Sequence, residues 1–270
     1  PVYVDWKTEL PKYTGPLKPF RLEAMADEAR KNGLHDRATE LKNASGASNR
    51  ILYRYEIESF LRTPSCRGFQ LLGMQDFSGQ GEALVGWLDS FYDSKGTTDP
   101  LEFRRYCAPI VPLLKLPAYV FKSTDRPEIE ALVSHYGAED LKVESIRWEL
   151  VSKDGKKLSS GDLSAREIPS GGVVSLGRFT PDFSKVDQAT QAKLTLRISE
   201  TADNSYDLWI YPNKSDADSN NVIFASDWEE AKDALAKGGK VLLSAHLLGG
   251  PRAARYAGWF PLYWSVPFFP

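Results

Sequence analysis

Two short clusters in this 270-residue chain combine residue types that could line a ligand site. The first is Gln75, Asp76 and Gln80, within the polar stretch Gln75-Asp76-Phe77-Ser78-Gly79-Gln80-Gly81. It follows the apolar run Gly68-Phe69-Gln70-Leu71-Leu72-Gly73-Met74, which reads as a strand buried on both faces. At the carboxyl end of a strand in a parallel α/β barrel, such side chains point into the substrate site. Asp76 has a second role open to it, capping the helix expected next, with Gln80 and the glycines shaping the turn. The second cluster is Tyr3, Asp5 and Trp6. An aromatic ring stacks on the apolar face of a pyranose while acids bond its hydroxyls. Packing of Tyr3 and Trp6 beneath a loop is the alternative.

Other chemistries find less support. The three histidines, His35, His135 and His246, lie far apart with no second ligand at a metal-binding spacing, and no G-x-S-x-G elbow is present. Gly79-Gln80-Gly81 begins like a dinucleotide loop, but Leu84 stands where the third glycine belongs, so no cofactor is expected. Glycoside hydrolysis needs two acids flanking one bond, about 5 to 5.5 Å apart in retaining enzymes. Glu56 and Glu58 read as the solvated face of a helix and Glu82 as a first-turn charge, leaving no catalytic pair. Cys66 and Cys107 are too few for a disulfide scaffold and read as buried thiols, with one bridge between them as the alternative.

The elements that must position these residues fall into three regions. Residues 1–97 read as α/β: a helix from about Lys18 to Asn32-Gly33, a second from His35 to Arg62 that Gly46 divides or bends, the strand at 69–74, and a helix from Glu82 to Tyr92. Residues 98–213 open with a short helix at Pro100 and an extended connector, Ala108 to Pro117. Six alternating segments follow, exemplified by Ile146-Arg147-Trp148-Glu149-Leu150, and imply an immunoglobulin-like β-sandwich. Residues 214–270 read as a partial α/β domain: strand 222–225, a helix capped by Ser226 with Trp228, Ala231, Ala234 and Leu235 inward, and strand 240–244. The aromatic stretch Trp259 to Phe269 must pack on something, which suggests a fragment of a longer protein.

Composition bounds the function. With 42% hydrophobic and 26% charged residues the chain has material for a core, and its formal charge of −2 offers no basic field for a nucleic acid. No apolar run is long enough to span a bilayer.

Tyr13-Thr14-Gly15-Pro16-Leu17-Lys18-Pro19, Leu61-Arg62-Thr63-Pro64, the stretch Gly68 to Gly81, and Leu88-Asp89-Ser90-Phe91-Tyr92-Asp93-Ser94-Lys95-Gly96 together resemble the end of the catalytic domain in glycoside hydrolase family 2-like, β-galactosidase-like proteins of glycan-degrading gut bacteria. Glu102-Phe103-Arg104-Arg105-Tyr106-Cys107, Val111-Pro112-Leu113-Leu114 and Leu116-Pro117 resemble the junction that follows it. The resemblance implies the last strands and helices of a (β/α)8 barrel over residues 1–97. It implies a retaining mechanism with two glutamates, neither of whose motifs occurs in these 270 residues. It further implies that Gln75, Asp76, Gln80, Tyr3 and Trp6 line part of a sugar pocket in a bacterial periplasmic or cell-surface protein. The expected partners are a carbohydrate substrate, the rest of the parent chain and a second copy in a homo-oligomer. A non-catalytic carbohydrate-binding protein or a structural assembly domain is the alternative function.

Overall fold

The computed structural model describes residues 3–16, 18–77, 84–213 and 222–244. The chain divides into two units, Pro1–Pro212 and Asn213–Pro270.

In the first unit, helices come before strands. α1 (Trp6–Glu9) is capped by Asp5, whose carboxylate accepts the Lys7 N–H at 3.1 Å. α2 (Phe20–Lys31) ends at Asn32, and Gly33 supplies the positive φ of 69° that follows. α3 runs unbroken from Ala38 to Arg62 after a 3-10 turn at His35–Arg37, so Gly46 does not divide it. Gly46 lies where the loop carrying Thr97 crosses the helix: a Cβ there would meet Thr97 Cγ2 at 2.4 Å. α4 is Pro100–Arg104, with Asp99 as its cap. Val4, Trp6, Leu22, Ala26, Ala38 and Leu84 form the small core of this part.

The alternating sequence then folds into ten strands: β1 (Ile110–Lys115), β2 (Val120–Lys122), β3 (Ile129–His135), β4 (Leu141–Lys142), β5 (Ile146–Ser152), β6 (Lys157–Leu163), β7 (Glu167–Ile168), β8 (Gly172–Phe179), β9 (Thr190–Ile198) and β10 (Ala202–Tyr211). One sheet has the order β1-β3-β8, another β2-β10-β9-β5-β6, and β4 pairs with β7. A single core draws on both larger sheets, including Ile129, Val133, Ile146, Leu150, Leu194 and Leu208. Each such side chain contributes roughly 1.5–3 kcal/mol by leaving water. Two irregularities in register, at Ala131/Leu132 and at Leu150/Val151, leave Leu176 and Leu158 as extra residues on the partner strands, and both are buried. Gly161 lies opposite Trp148, whose indole stacks on Phe179 at 4.4 Å.

The second unit has β11 (Val222–Ala225), α5 (Trp228–Ala236) and β12 (Lys240–Leu243), with β11 and β12 parallel.

The fold class expected from the sequence, α/β plus all-β with the end of a (β/α)8 barrel and an immunoglobulin-like sandwich, is corrected. The molecule is mostly β-sheet with a few helices, and the described residues before β1 contain no strand, only isolated bridges of Leu88 with Gln75 and Ser94. The run 69–74 is irregular, with Leu72 88% and Met74 55% exposed. A strand buried on both faces needs hydrogen-bonded neighbours on both edges, and among the described residues no strand pairs with it. The described part of the helix expected over 82–92 is bridge and turn. The β region departs from six or seven antiparallel strands: β2 pairs in parallel with β10, and β4–β7 is a separate small sheet. The expected connector 108–117 contains β1, because Ile110 to Lys115 pairs along its whole length with β3. In α5 the cap is Asp227 rather than Ser226, and Trp228 and Leu235 are exposed while Ala231 and Ala234 are buried.

Candidate functional site

Lys95 is the point where the two sequence clusters meet. Its ammonium lies 2.6 Å from Asp76 Oδ2, donates to the Tyr3 carbonyl at 2.9 Å, and sits 4.2 Å from the centre of the Tyr3 ring. Asp76 also accepts the Gly86 N–H at 2.8 Å. Backbone bonds fasten the strands of chain around this pair: Tyr3 N–H donates to Leu84, Asp76 N–H to the Leu88 carbonyl, and Lys95 N–H to Trp87. Gly86 is required here, since a Cβ would meet the Gln75 carbonyl carbon at 2.4 Å.

Both charges are removed from water. Burial pushes the Asp76 carboxyl up to about 6, against the opposing pull of Lys95 and of the Gly86 N–H. Burial likewise pushes the Lys95 ammonium below its usual range, against the carboxylate. Glu9 is raised by burial as well, although its carboxylate accepts the Asp5 N–H at 2.9 Å.

A second ion cluster lies nearer the surface. Lys12 pairs with Asp89 and, at 2.7 Å, with Asp93, while the Tyr13 ring meets Phe91 edge-on at 4.8 Å. Burial pushes the Asp89 carboxyl up, but Lys12 and the backbone N–H groups of Phe91 and Asp93 outweigh it and hold the group below the ordinary range.

The candidate site residues are thus partly assembled. Tyr3, Trp6 and Asp76 are 1%, 6% and 3% exposed, so neither ring offers a free face and Asp76 is spent on internal partners. Trp6 donates its indole N–H to the His35 carbonyl at 3.1 Å, the packed role that was the alternative. Gln75 is half-buried and bridges Leu88 through its backbone; Gln80 lies outside the described residues, as do Glu82, His246 and the aromatic stretch 259–270. Cys66 and Cys107 are free and half-buried.

Sequence reasoning missed Lys95, Lys12 and Glu58. Glu58, read as part of a solvated face, is 3% exposed. It accepts from Arg54 at 2.9 Å and Arg62 at 3.2 Å, and this spacing, an acid four residues from an arginine on each side, was a legible signal. Among the described residues no group of three or more His, Cys, Asp or Glu could hold a metal ion, and no helix is long and apolar enough to cross a membrane.

Residues 125–212 match the family described as "Domain of unknown function (DUF8488)". No curated protein matches. Similar solved structures include the alkylpurine DNA glycosylase AlkC of Pseudomonas fluorescens bound to abasic-site DNA. It is 11% identical with a TM-score of 0.32, over 38% of this chain and 31% of that one. The sporulation control protein Spo0M of Bacillus subtilis is 15% identical with a TM-score of 0.31, over 47% and 56%. The CARDB domain of the Pyrococcus furiosus PF1109 protein with di-metal ions is 13% identical with a TM-score of 0.28, over 38% and 94%. The matched part therefore spans less than two thirds of the first two proteins, and at these TM-scores the likenesses carry no inference for this chain.

Proposed function

We propose that this chain is a non-catalytic portion of a larger, β-galactosidase-like retaining glycoside hydrolase of a bacterial periplasm or cell surface, supplying part of the wall of a sugar pocket near Gln75. One observation supports the reading most directly. The segments that carry the family resemblance, distant in sequence, interlock in space: Tyr13 against Phe91, the adjoining Lys12 against Asp89 and Asp93, and Asp76 against Lys95. Their residue types serve a common construction rather than separate loops. The same contacts support a non-catalytic role for this piece. Asp76 and Asp89 are each committed to a lysine, and hydrolysis needs one carboxyl free to give a proton and another free to attack carbon.

The test compares two polypeptides on aryl β-galactosides: the 270-residue chain and the complete product of the gene that encodes it. Turnover is expected from the longer polypeptide alone, with retention of anomeric configuration by proton NMR. Turnover by the 270-residue chain, or inversion or no turnover by the complete product, overturns the reading.

A further inference from the structure

We propose that the first unit carries a second carbohydrate site, lined by residues other than Gln75 and Asp76, in a two-part groove between α3 and strand β10 that takes a neutral oligosaccharide. The groove joins two cavities of about 460 Å³ each, sizes that suit small organic ligands. They share two lining residues, Arg54 and Asp207, and differ in character.

The first cavity is aromatic. Tyr55 from α3, Tyr119 just before β2 and Trp209 from β10 all line it, and all three are exposed. Trp209 and Tyr119 are held side by side, because the Trp209 N–H donates to the Tyr119 carbonyl at 2.9 Å and Trp209 pairs with Val120 in the parallel β2–β10 ladder. Flat rings on a rigid sheet edge suit stacking against the apolar face of a sugar, and the tyrosine hydroxyls add donors and acceptors.

The second cavity is polar and of mixed sign: Arg50, Arg105 and Lys193 stand with Asp99, Glu102 and Asp207. An anionic ligand would meet three carboxylates there and a cationic one would meet the guanidinium groups. Arg50 and Glu102 pair with each other at 2.8 Å and Asp99 caps α4, so a hydroxyl, which both donates and accepts, finds its open partners in Lys193 and Asp207. Asp207 and Lys193, cross-strand neighbours in β10 and β9, are exposed, and their side chains make no hydrogen bond or ion pair among the described residues. A free acceptor and a free donor thus stand at one end of the aromatic floor.

The floor is fixed from beneath. Arg54 donates to Asn204 Oδ1 at 2.9 Å and to the Ser205 carbonyl at 2.6 Å, and its guanidinium lies 4.7 Å from the centre of the Tyr206 ring. The helix wall and the strand wall therefore share side-chain bonds, and the groove exists before any ligand arrives.

Calorimetric titration of the 270-residue chain with neutral β-linked galacto-, gluco- and xylo-oligosaccharides of two to six units tests the site. At least one series is expected to bind with a Kd of roughly 10 μM to 1 mM. Trp209→Ala and, separately, Tyr119→Ala are expected to weaken it by about tenfold or more with the thermal midpoint unchanged, and Asp207→Asn by a smaller factor. No binding at millimolar sugar overturns the proposal, as does binding that both aromatic variants leave intact. Concentration-dependent self-association abolished by Trp209→Ala, with no sugar effect, would assign the groove to a second copy instead and also overturns it. The lining, not the family resemblance, sets the ligand class, so failure here and failure of the hydrolysis assay are separate results.

Discussion

The phenol of Tyr206 donates a 2.9 Å hydrogen bond to the carboxylate of Glu58, 148 positions earlier in the chain, and so ties α3 to the middle of β10. Tyr206 is almost fully buried and holds its proton far more tightly than a free tyrosine: burial dominates, and the Glu58 charge adds to it. The same oxygen accepts the Leu114 N–H at 3.2 Å, while Asn204 bonds both Glu58 and the Pro112 carbonyl. One carboxylate thus serves two arginines, a tyrosine and an asparagine, drawn from two elements.

Glu58→Ala should therefore destabilise the chain by about 3 kcal/mol, because it leaves Arg54 and Arg62 half-buried without their common partner. Tyr206→Phe should cost less, about 1–3 kcal/mol, by leaving the Leu114 N–H without an acceptor. Urea denaturation at pH 7 measures both. A loss below about 0.5 kcal/mol in the alanine variant would show that the network is not what holds α3.

Stability should also depend on pH through Asp76. Its carboxyl titrates at about 6 in the folded chain and in the ordinary aspartate range when unfolded. Between those values the folded state binds more protons, so stability is fully present below the ordinary range and falls as pH rises through about 6. The size of the effect is on the order of 3 kcal/mol at most. Asp76→Asn should reduce this slope to what Glu9, also raised by burial, contributes, while lowering stability overall because Lys95 loses its partner. Denaturation midpoints between pH 4 and 7 for both proteins check the sign; a wild-type midpoint that rises over that range contradicts it.

The sequence made the strands legible wherever one face meets the core and the other meets water. Ile146 to Leu150 alternates cleanly, and β5 is where that pattern puts it. The run Phe69 to Met74 misled because a short apolar stretch reads as a buried strand whether or not a neighbouring strand exists to pair with it. Charges misled in the opposite direction. Glu58 and Lys95 have the residue types of a solvated surface, and only tertiary contacts turn them inward. The aromatic groove was not visible at all, since Tyr55, Tyr119 and Trp209 are separated by long stretches of chain and meet only when α3, β2 and β10 are in place.

Gly46→Ala separates local propensity from packing. In the interior of an exposed helix the substitution should stabilise by up to about 1 kcal/mol. At this position the new methyl would meet Thr97 Cγ2 at 2.4 Å and Tyr3 Cδ2 at 3.0 Å, so overpacking wins and a net loss of about 1–3 kcal/mol is expected. Adding Thr97→Ser removes the nearer methyl and should recover part of that loss. Thermal melts of the single and double variants decide the matter, and a stabilised single variant would mean that the Thr97 loop yields freely.

The cap of α5 offers a direct contest between neighbouring residues. Asp227 accepts the Glu230 N–H at 2.9 Å, and Glu230 returns a bond to the Ser226 N–H at 3.1 Å, a reciprocal arrangement in which Ser226 contributes only backbone. Asp227→Ala should cost the helix about 0.5–2 kcal/mol. Ser226→Ala keeps the N–H that Glu230 accepts and should cost almost nothing. Amide hydrogen exchange resolves this unit from the rest of the chain: exchange of the amides of residues 231–237 should quicken in the aspartate variant and stay unchanged in the serine variant. The reverse pattern would move the cap to Ser226 and shift the start of the helix by one residue.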